Sequence, residues 1–360
     1  MKKQKEGKEM KRIFQLFLMI FLVVTICTGA TAAQYKFIVA YTDAPRLKVG
    51  DEKLIHVTVA AVYAFEDGIT SLTGGAFDVD FKHSGVLGGQ IETLDQVLSG
   101  TIQATTPATA ALAGYFPHMQ IFSIPYLWAN PVVAWEVLDG DFGQKFFDAM
   151  AKESGLRIIT IFDNGGYRSF TNNVREIREP ADMKGMKIRV MESPTAMKMV
   201  ESLGGSPTPI AWTELYSSLQ TGVVDGQENS AATIIAGSLH EVQKYYVLDQ
   251  HTLSLAVFAV GEKWFQSLPA DIQTSVKIAG RMASVAGRGA AWTNNKLALE
   301  YVKRHGMKVY APKPDQRAQF KRLAQPGVLE WMRKNPKIGN QWIDGILAAV
   351  NTTEMKLGMW

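Results

Sequence analysis

The chain has 360 residues, of which 47% are hydrophobic and 20% charged, a composition typical of a globular protein of one or two domains. The formal net charge is +4, and residues 1–33, with six basic and two acidic side chains, account for all of it. The remainder is near neutral and has no Lys/Arg cluster interleaved with aromatic residues. We therefore expect no nucleic-acid partner.

The first 33 residues have the three parts of a secretory signal peptide. Basic residues dominate 2–12, residues 13–26 are mostly apolar, and 28–33 are small residues with an A-x-A type cleavage region. This pattern predicts export to the periplasm, with Met10 as an alternative start. An uncleaved anchor helix is the other interpretation, but the apolar run is shorter than a membrane span needs. The single cysteine, Cys27, lies in this segment, so we expect no disulfide bond in the exported chain.

Strand-like and helix-like segments alternate along the rest of the chain. Strands are predicted from short apolar or alternating runs at 37–40, 76–81, 156–162, 187–190, 253–260 and 307–310. Helices are predicted at 52–72, at 91–98, in a long stretch from Pro269 to about His305, and from there to the C-terminus. The alternation predicts an α/β protein with parallel or mixed sheets. The absence of a linker favours two lobes joined by several crossings of the chain.

Motifs of common enzymes are missing from the sequence. The six histidines form neither an HxH nor an HExxH pattern, and there is no G-x-S-x-G elbow or GxxxxGK[ST] phosphate loop. No cysteine nucleophile follows Cys27. We therefore predict no catalytic residues, no metal site and no cofactor.

Two arginines are candidates for binding an anion. Arg168 follows the glycine pair Gly165-Gly166, and we expect it at the carboxyl end of a strand, where open α/β sheets form their ligand crevice. Arg189 lies in the apolar strand 187–190, where a guanidinium is costly unless it meets an anion. Its planar fork matches a carboxylate. A solvent-facing position or a structural ion pair is the alternative for each arginine.

Two further segments supply polar and aromatic groups. Residues 204–212 form a Gly- and Pro-rich loop that ends in Trp212, and Thr213 is the expected N-cap of a short helix at 213–221. Asn229 follows a short predicted strand and can offer both a donor and an acceptor to an anion. A core position is the alternative for Trp212.

At these residues the chain resembles the dicarboxylate-binding (DctP-like) solute-binding proteins of tripartite ATP-independent periplasmic (TRAP) transporters. The matching stretches are SGVLGG at 84–89, FSIPYL at 122–127, DMKGMKIRV at 182–190, and residues 205–229. They occur in family order across most of the chain that follows the signal peptide. Each stretch is weak evidence alone, and together they are specific.

The resemblance implies a two-lobed periplasmic binding protein fold with mixed sheets, in which the ligand is enclosed between the lobes and a long helix spans both. We assign residues 34–165 and 255–294 to lobe I, and 166–254 and 295–360 to lobe II. The lobes are expected to close by hinge motion near 164–166 and 252–255.

The resemblance also assigns roles to individual residues. It implies that Arg189 forms the salt bridge to the ligand carboxylate and that Arg168, Trp212 and Asn229 line the same cleft. Thr106 and Ala108 belong to the facing wall of the other lobe.

Two departures from known subgroups bear on the ligand. Sialic-acid binders have a charged pair where residues 106–111 of this chain are uncharged, and the keto-acid subgroup has an acid–aromatic pair where this chain has Glu228-Asn229. We therefore expect a small or partly apolar organic acid.

The function predicted from the sequence is capture of a small organic anion and its delivery to TRAP membrane subunits, by a protein that is monomeric. Two alternatives remain at this point. One is an extracytoplasmic sensor that reports the ligand to a receptor, and the other is a periplasmic enzyme on the same scaffold, because a fold does not determine a function.

Overall fold

A computed structural model describes residues 33–49 and 52–359. All but the last residue of the predicted signal peptide lies outside these described residues. None of the described helices is both long and apolar enough to cross a lipid bilayer.

The described residues form an alternating series of strands and helices, joined in places by short 3-10 turns. The strands are β1 (Tyr35–Ala40), β2 (Arg46–Val49), β3 (Glu52–Ile55), β4 (Phe77–Lys82), β5 (Ala104–Thr105), β6 (Leu156–Asn172), β7 (Lys187–Val190), β8 (Ser206–Pro209), β9 (Gly226–Asn229), β10 (Tyr245–Val247), β11 (Thr252–Gly261) and β12 (Lys308–Tyr310). The helices are α1 (Val57–Thr73), α2 (Gln90–Ser99), α3 (Pro131–Asp139), α4 (Asp141–Ser154), α5 (Pro194–Ser202), α6 (Leu215–Gln220), α7 (Ala231–Ala236), α8 (Glu262–Ser267), α9 (Ala270–Arg304), α10 (Pro314–Lys334) and α11 (Asn340–Lys356). The predicted α/β class is confirmed.

One mixed sheet of ten strands organises the described chain. Its order is β4-β1-β5-β11-β6-β9-β7-β8, and β10 pairs with β6 and β12 off this path. β1 is parallel to β4 and β5, whereas β11 is antiparallel to both β5 and β6. The long strands β6 and β11 therefore join a first half of the sheet (β4, β1, β5) to a second half (β9, β7, β8, β10, β12).

The two joining strands are irregular where they pass between the halves. In β6, Gly165 and Gly166 have φ values of +102° and +97°, which glycine adopts without steric cost. A Cβ on Gly166 would lie 2.9 Å from Nδ2 of Asn295. In β11 the pairing register with β6 shifts between Leu253 and Leu255. Both predicted hinge segments contain these irregularities, and hinge motion there stays a prediction.

The predicted long helix after Pro269 is confirmed as α9, which has 35 residues. It packs along α1 and β6 and also contacts α7, so it touches elements on both sides of the joining strands. Small residues permit the close approach to β6. A Cβ on Gly280 would lie 2.4 Å from Cγ2 of Ile159, and one on Gly287 would lie 3.0 Å from the ring of Phe162.

The helix predicted at 52–72 begins later than expected. Glu52–Ile55 pairs antiparallel with Arg46–Val49 as a hairpin, and the helix starts at Val57. His56 is its N-cap, with extended backbone, and its side chain accepts a hydrogen bond from the Thr58 amide. This cap sets the N-terminal end of the helix at Val57. The helix prediction for residues 52–56 was therefore wrong.

Three local predictions around the candidate site were also wrong. β6 continues to Asn172, so Arg168 lies within a strand and not at its end, because antiparallel pairing with β9 and β11 carries the strand onward. Asn229 is the last residue of β9 and does not follow a strand. Thr213 is not an N-cap, because a 3-10 turn at Trp212–Glu214 leads into α6 and Glu214 is the capping position.

The close approach of α9 to β6 generates a stability prediction. Gly280→Ala places a methyl group against Ile159, and overpacking of this kind costs about 1–3 kcal/mol. Gly289 is exposed on the same helix and has no atom within 4 Å of its Cβ position. Gly289→Ala should therefore stabilise the chain by up to about 1 kcal/mol through helix propensity.

Urea unfolding of both variants measures the difference. A midpoint that falls for Gly280→Ala and rises for Gly289→Ala agrees with the packing described. Equal stabilisation by both substitutions would contradict the close packing of Gly280 against Ile159.

Candidate anion-binding site

A cavity lies where the two halves of the sheet face each other across β6 and β11. It contains all six residues predicted from the sequence: Thr106, Ala108, Arg168, Arg189, Trp212 and Asn229. The structure adds six residues that the sequence did not predict: Asp43, His56, Gln90, Asn164, Met191 and Thr233. The empty space amounts to about 440 Å³, including the part open to solvent.

Arg189 is the most unusual group in this cavity. β7 places its side chain inside the protein, where its exposed fraction is 0%. Its Nε donates to the carbonyl oxygen of Ile210 at 2.8 Å. The two terminal nitrogens, Nη1 and Nη2, are buried and have no hydrogen-bond partner among the described residues. Because a buried donor without a partner is costly, and a charged one more so, this guanidinium is suited to meet an anion.

The charge of Arg189 is retained at neutral pH. Burial and the positive charge of Arg168 lower its pKa to about 10, which still leaves it protonated. No carboxylate of the described residues lies within 4 Å of its nitrogens as an ion pair. The positive charge is therefore uncompensated at close range inside the cavity.

Arg168 differs from Arg189, because its partners are within the protein. Its Nε and Nη2 both donate to the Glu228 carboxylate, the latter at 2.7 Å, and Nη2 also donates to the Glu228 carbonyl at 2.7 Å. Nη1 lies 3.4 Å from the Ser254 hydroxyl. The structural ion pair given as the alternative for this residue is therefore present. Arg168 lines the cavity, but its charge is paired with the Glu228 carboxylate.

A buried histidine extends this ion pair. His251 has no exposed surface, its Nδ1 lies 2.8 Å from the Asp249 carboxylate, and its Nε2 lies 3.3 Å from the Glu228 carboxylate. Carboxylates on both ring nitrogens require a protonated imidazolium that donates twice. Asp249 also accepts from the Tyr126 hydroxyl at 3.1 Å.

The charges in this network shift the pKa values of its members. Burial alone lowers the pKa of His251, but Asp249 and Glu228 outweigh it and raise that pKa to about 9. Burial raises the pKa of Glu228, but the charges and hydrogen bonds of Arg168 and His251 outweigh it and hold the pKa at about 2. At neutral pH, Glu228 and His251 are both charged.

Asn229 and Trp212 complete the wall next to Arg189. The Asn229 amide nitrogen donates to Oε1 of Gln227 at 2.6 Å, and its backbone carbonyl accepts from the Tyr246 hydroxyl at 3.2 Å. Its orientation is fixed by these bonds. Trp212 is half-buried, and its ring lies 2.8 Å from the position of a Cβ on Gly237. Both residues therefore line the cavity, and their contact with a ligand stays a prediction.

The facing wall comes from elements of the first half. The Thr106 hydroxyl is buried without a hydrogen-bond partner among the described residues. The Gln90 side-chain oxygen accepts from the Ala108 amide at 2.9 Å, which leaves its amide group for the cavity. His56 accepts from the Thr58 amide through Nδ1 at 3.3 Å, so a neutral His56 carries its proton on Nε2. This wall therefore offers hydrogen-bond donors from Thr106 and Gln90.

Sequence reasoning missed these groups for different reasons. His56 and Gln90 come from segments far from Arg189 in the chain, and no local pattern connects them to it. Asp249 and His251 are two residues apart in the sequence, and this spacing of an acid and a histidine could have predicted an ion pair between them. Glu228 was noted only as a neighbour of Asn229, although an acid next to a cavity residue is a candidate partner for Arg168.

No group of three or more histidine, cysteine, aspartate or glutamate side chains within 33–49 and 52–359 is arranged to hold a metal ion. The polar groups of the cavity are arginine nitrogens, amides, hydroxyls, an imidazole and the carboxylate of Asp43, which accepts from the Thr58 hydroxyl at 2.8 Å. Hydrogen-bond donors dominate this set, which favours an anionic ligand that accepts hydrogen bonds.

Comparison with known proteins agrees with this chemistry. The family model for bacterial extracellular solute-binding protein, family 7, matches residues 52–335. The chain belongs to this family. The resemblance inferred from the sequence motifs is therefore confirmed, and the protein is a two-lobed solute-binding protein.

Relatives and solved structures extend the comparison. A solute-binding protein of Verminephrobacter eiseniae is 30% identical over 264 residues, which are 73% of this chain and 78% of the relative. The sugar acid binding protein DctPAm of Advenella mimigardefordensis, solved with galactonate, is 30% identical with a TM-score of 0.80, over 88% of this chain and 98% of that one. A TRAP periplasmic solute binding protein of Bordetella bronchispeptica, with density interpreted as pantoate, is 30% identical with a TM-score of 0.78, over 88% and 99%.

The buried histidine generates a pH prediction. Because the pKa of His251 is raised from about 6.5 to about 9, its proton stabilises the folded chain fully below about pH 6.5, and this contribution is lost as the pH rises through about 9. The free energy of unfolding in urea should therefore fall between pH 6.5 and pH 9. In His251→Gln this fall should be absent.

His305→Gln is the matched control, because His305 is an exposed histidine at the end of α9 and its replacement should leave the fall unchanged. A wild-type profile that is flat over this range, or the same slope in His251→Gln, contradicts a buried imidazolium.

Proposed function

We propose that this protein captures a small organic acid as its carboxylate between the two lobes and delivers it to TRAP membrane subunits. The observation that carries the proposal is the buried guanidinium of Arg189, whose two terminal nitrogens face the cavity without a partner among the described residues. A carboxylate has two oxygens at the spacing of these two nitrogens, so one ligand group satisfies both donors and the charge.

The ligands of the related structures support a carboxylate. Galactonate and pantoate, bound by the Advenella and Bordetella proteins, share a carboxylate and at least one hydroxyl group and differ in the rest of the molecule. The hydrogen-bonding groups of the facing wall, His56, Gln90 and Thr106, suit hydroxyl groups near the carboxylate. We infer that a hydroxylated organic acid of modest size is the ligand class.

The two walls imply a capture mechanism. Arg189, Asn229 and Trp212 come from the second half of the sheet, and Thr106 and Ala108 from a segment next to β5 in the first half. We propose that the lobes, residues 34–165 with 255–294 and 166–254 with 295–360, close about the irregular points of β6 and β11. A ligand shifts the equilibrium between the open and closed forms only if it binds the closed form more tightly. Contact with both walls at once, which only the closed form allows, supplies this difference in affinity.

Location and partners follow from the family. Its description as extracellular supports export of this chain, for which residues 1–33 are the proposed signal peptide. We propose a monomer that carries out no chemical step on its ligand, because the polar groups of the cavity are binding groups and Glu228 and His251 are held in ion pairs. Delivery to membrane subunits, and not catalysis, is then the purpose of binding.

Arg189 is the direct test of this proposal. Arg189→Ala should weaken binding of galactonate or pantoate, whichever raises the thermal midpoint of the wild-type protein more, by about 2–5 kcal/mol, because a desolvated charge pair is broken. Arg189→Lys should also bind more weakly, since a point charge cannot replace a planar fork. Titration calorimetry measures both.

Arg333→Ala is the control, because Arg333 is a half-exposed arginine of α10 whose partner is the exposed Asp344. Its affinity should equal that of the wild-type protein. If Arg189→Ala remains folded and binds as tightly as the control, Arg189 is not the carboxylate ligand and the proposal fails.

A further inference from the structure

A second cavity adjoins the anion-binding cavity. Its walls come from the segment after β5, from α5 and from β11. They are Ala108, Thr109, Ala110, Ser123, Arg168, Met191, Ser193, Ala196, Met199, Glu228, Thr252, Leu253, Ser254 and Leu255. Its empty space is about 470 Å³, including the part open to solvent.

The two cavities share part of their walls. Ala108, Arg168 and Met191 line both of them. Ala108 belongs to the facing wall, whereas Arg168 and Met191 are on the side of Arg189. A ligand whose carboxylate meets Arg189 can therefore extend between Ala108 and Met191 into the second cavity.

The chemistry of the second cavity differs from that of the first. Half of its fourteen wall residues carry alkyl or thioether groups: Ala108, Ala110, Met191, Ala196, Met199, Leu253 and Leu255. The other half are polar, and five of these are serines or threonines: Thr109, Ser123, Ser193, Thr252 and Ser254. Its charged groups, Arg168 and Glu228, are bonded to each other. The Ser193 hydroxyl accepts from the Ala196 amide at the start of α5. Arg189 and its free nitrogens are not part of this wall.

The chemistry of this wall determines whether water or an alkyl group occupies the second cavity more favourably. The alkyl and thioether groups of this wall give water no polar partners, so the burial of an alkyl group against them is favourable. Met191 and Met199 have flexible side chains that adapt to the shape of an occupant.

We infer that the second cavity is a subsite for a short, branched alkyl substituent of the carboxylate ligand, so that this protein selects an acid with one hydroxylated and one apolar end. The inference rests on the proposed function, because it presumes a carboxylate at Arg189. It assigns to Ala110, Ala196, Met199 and Leu255 a role in selecting the ligand.

A series of 2-hydroxy acids tests the subsite on the wild-type protein. Glycolate, 2-hydroxybutanoate and 2-hydroxy-4-methylpentanoate share the carboxylate and hydroxyl and differ in alkyl size. Affinity from titration calorimetry should rise by about fourfold for each methylene that enters the cavity. 2,3,4-Trihydroxybutanoate, which has the chain length of 2-hydroxybutanoate but a polar end, should bind more weakly than it.

A cavity-filling variant tests the location. Ala196→Leu should abolish the preference for 2-hydroxy-4-methylpentanoate over glycolate. Ala270→Leu, at an exposed position at the start of α9, is the control and should keep the preference. The alkyl series needs no variant, so it decides the matter even if Ala196→Leu does not fold.

Two results overturn the inference. One is an affinity that is flat or falls with alkyl size, and the other is tighter binding of the trihydroxy acid than of 2-hydroxybutanoate. Both leave the proposed function intact if the acids still require Arg189. Failure of the proposed function looks different, because then neither these acids nor galactonate nor pantoate depends on Arg189.

Discussion

A guanidinium that has lost its water must find its hydrogen bonds elsewhere, and Arg189 finds only one of them in the described chain, at the carbonyl of Ile210. β7 is a short strand that pairs with β8 and β9 inside the second half of the sheet, so this side chain cannot turn toward solvent. The free-energy cost of burying this unpaired charge is offset by the favourable interactions of the rest of the fold. In the proposed function a ligand carboxylate removes that cost, so that this single arginine dominates the affinity.

The surrounding charges keep this role for Arg189 alone. Arg168 is at the same cavity, but Glu228 occupies its fork, and His251 with Asp249 holds Glu228 in place. If Glu228 were absent, two buried cations would compete for one carboxylate. Pairing one arginine and freeing the other gives the cavity a single anion position, and the donors on the opposite wall then define how the rest of the ligand lies.

Features that depend on local pattern were predictable from the sequence. The strand at 187–190 and the long helix after Pro269 were found in place, because apolar periodicity and helix-opening proline are local signals. Arg189 was identifiable because a charge inside an apolar strand is unusual. Arg168, Arg189 and Trp212 each had a structural alternative, so their roles in the cleft were inferred from the family resemblance.

Features that depend on distant contacts were not predictable. The start of α1 was misplaced because the hairpin of β2 and β3 and the cap by His56 compete with helix propensity. β6 was predicted to end near Phe162, whereas pairing with β9 and β11 extends it to Asn172. The partners of Arg168, and the donors His56 and Gln90, come from segments brought together only by the fold.

The most direct test of the account is a crystal structure of the protein with a bound hydroxy acid. The account predicts that both carboxylate oxygens lie about 2.7–2.9 Å from Nη1 and Nη2 of Arg189, while Arg168 remains bonded to Glu228. A carboxylate that instead binds Arg168 and displaces Glu228, with Arg189 still unpaired, contradicts it.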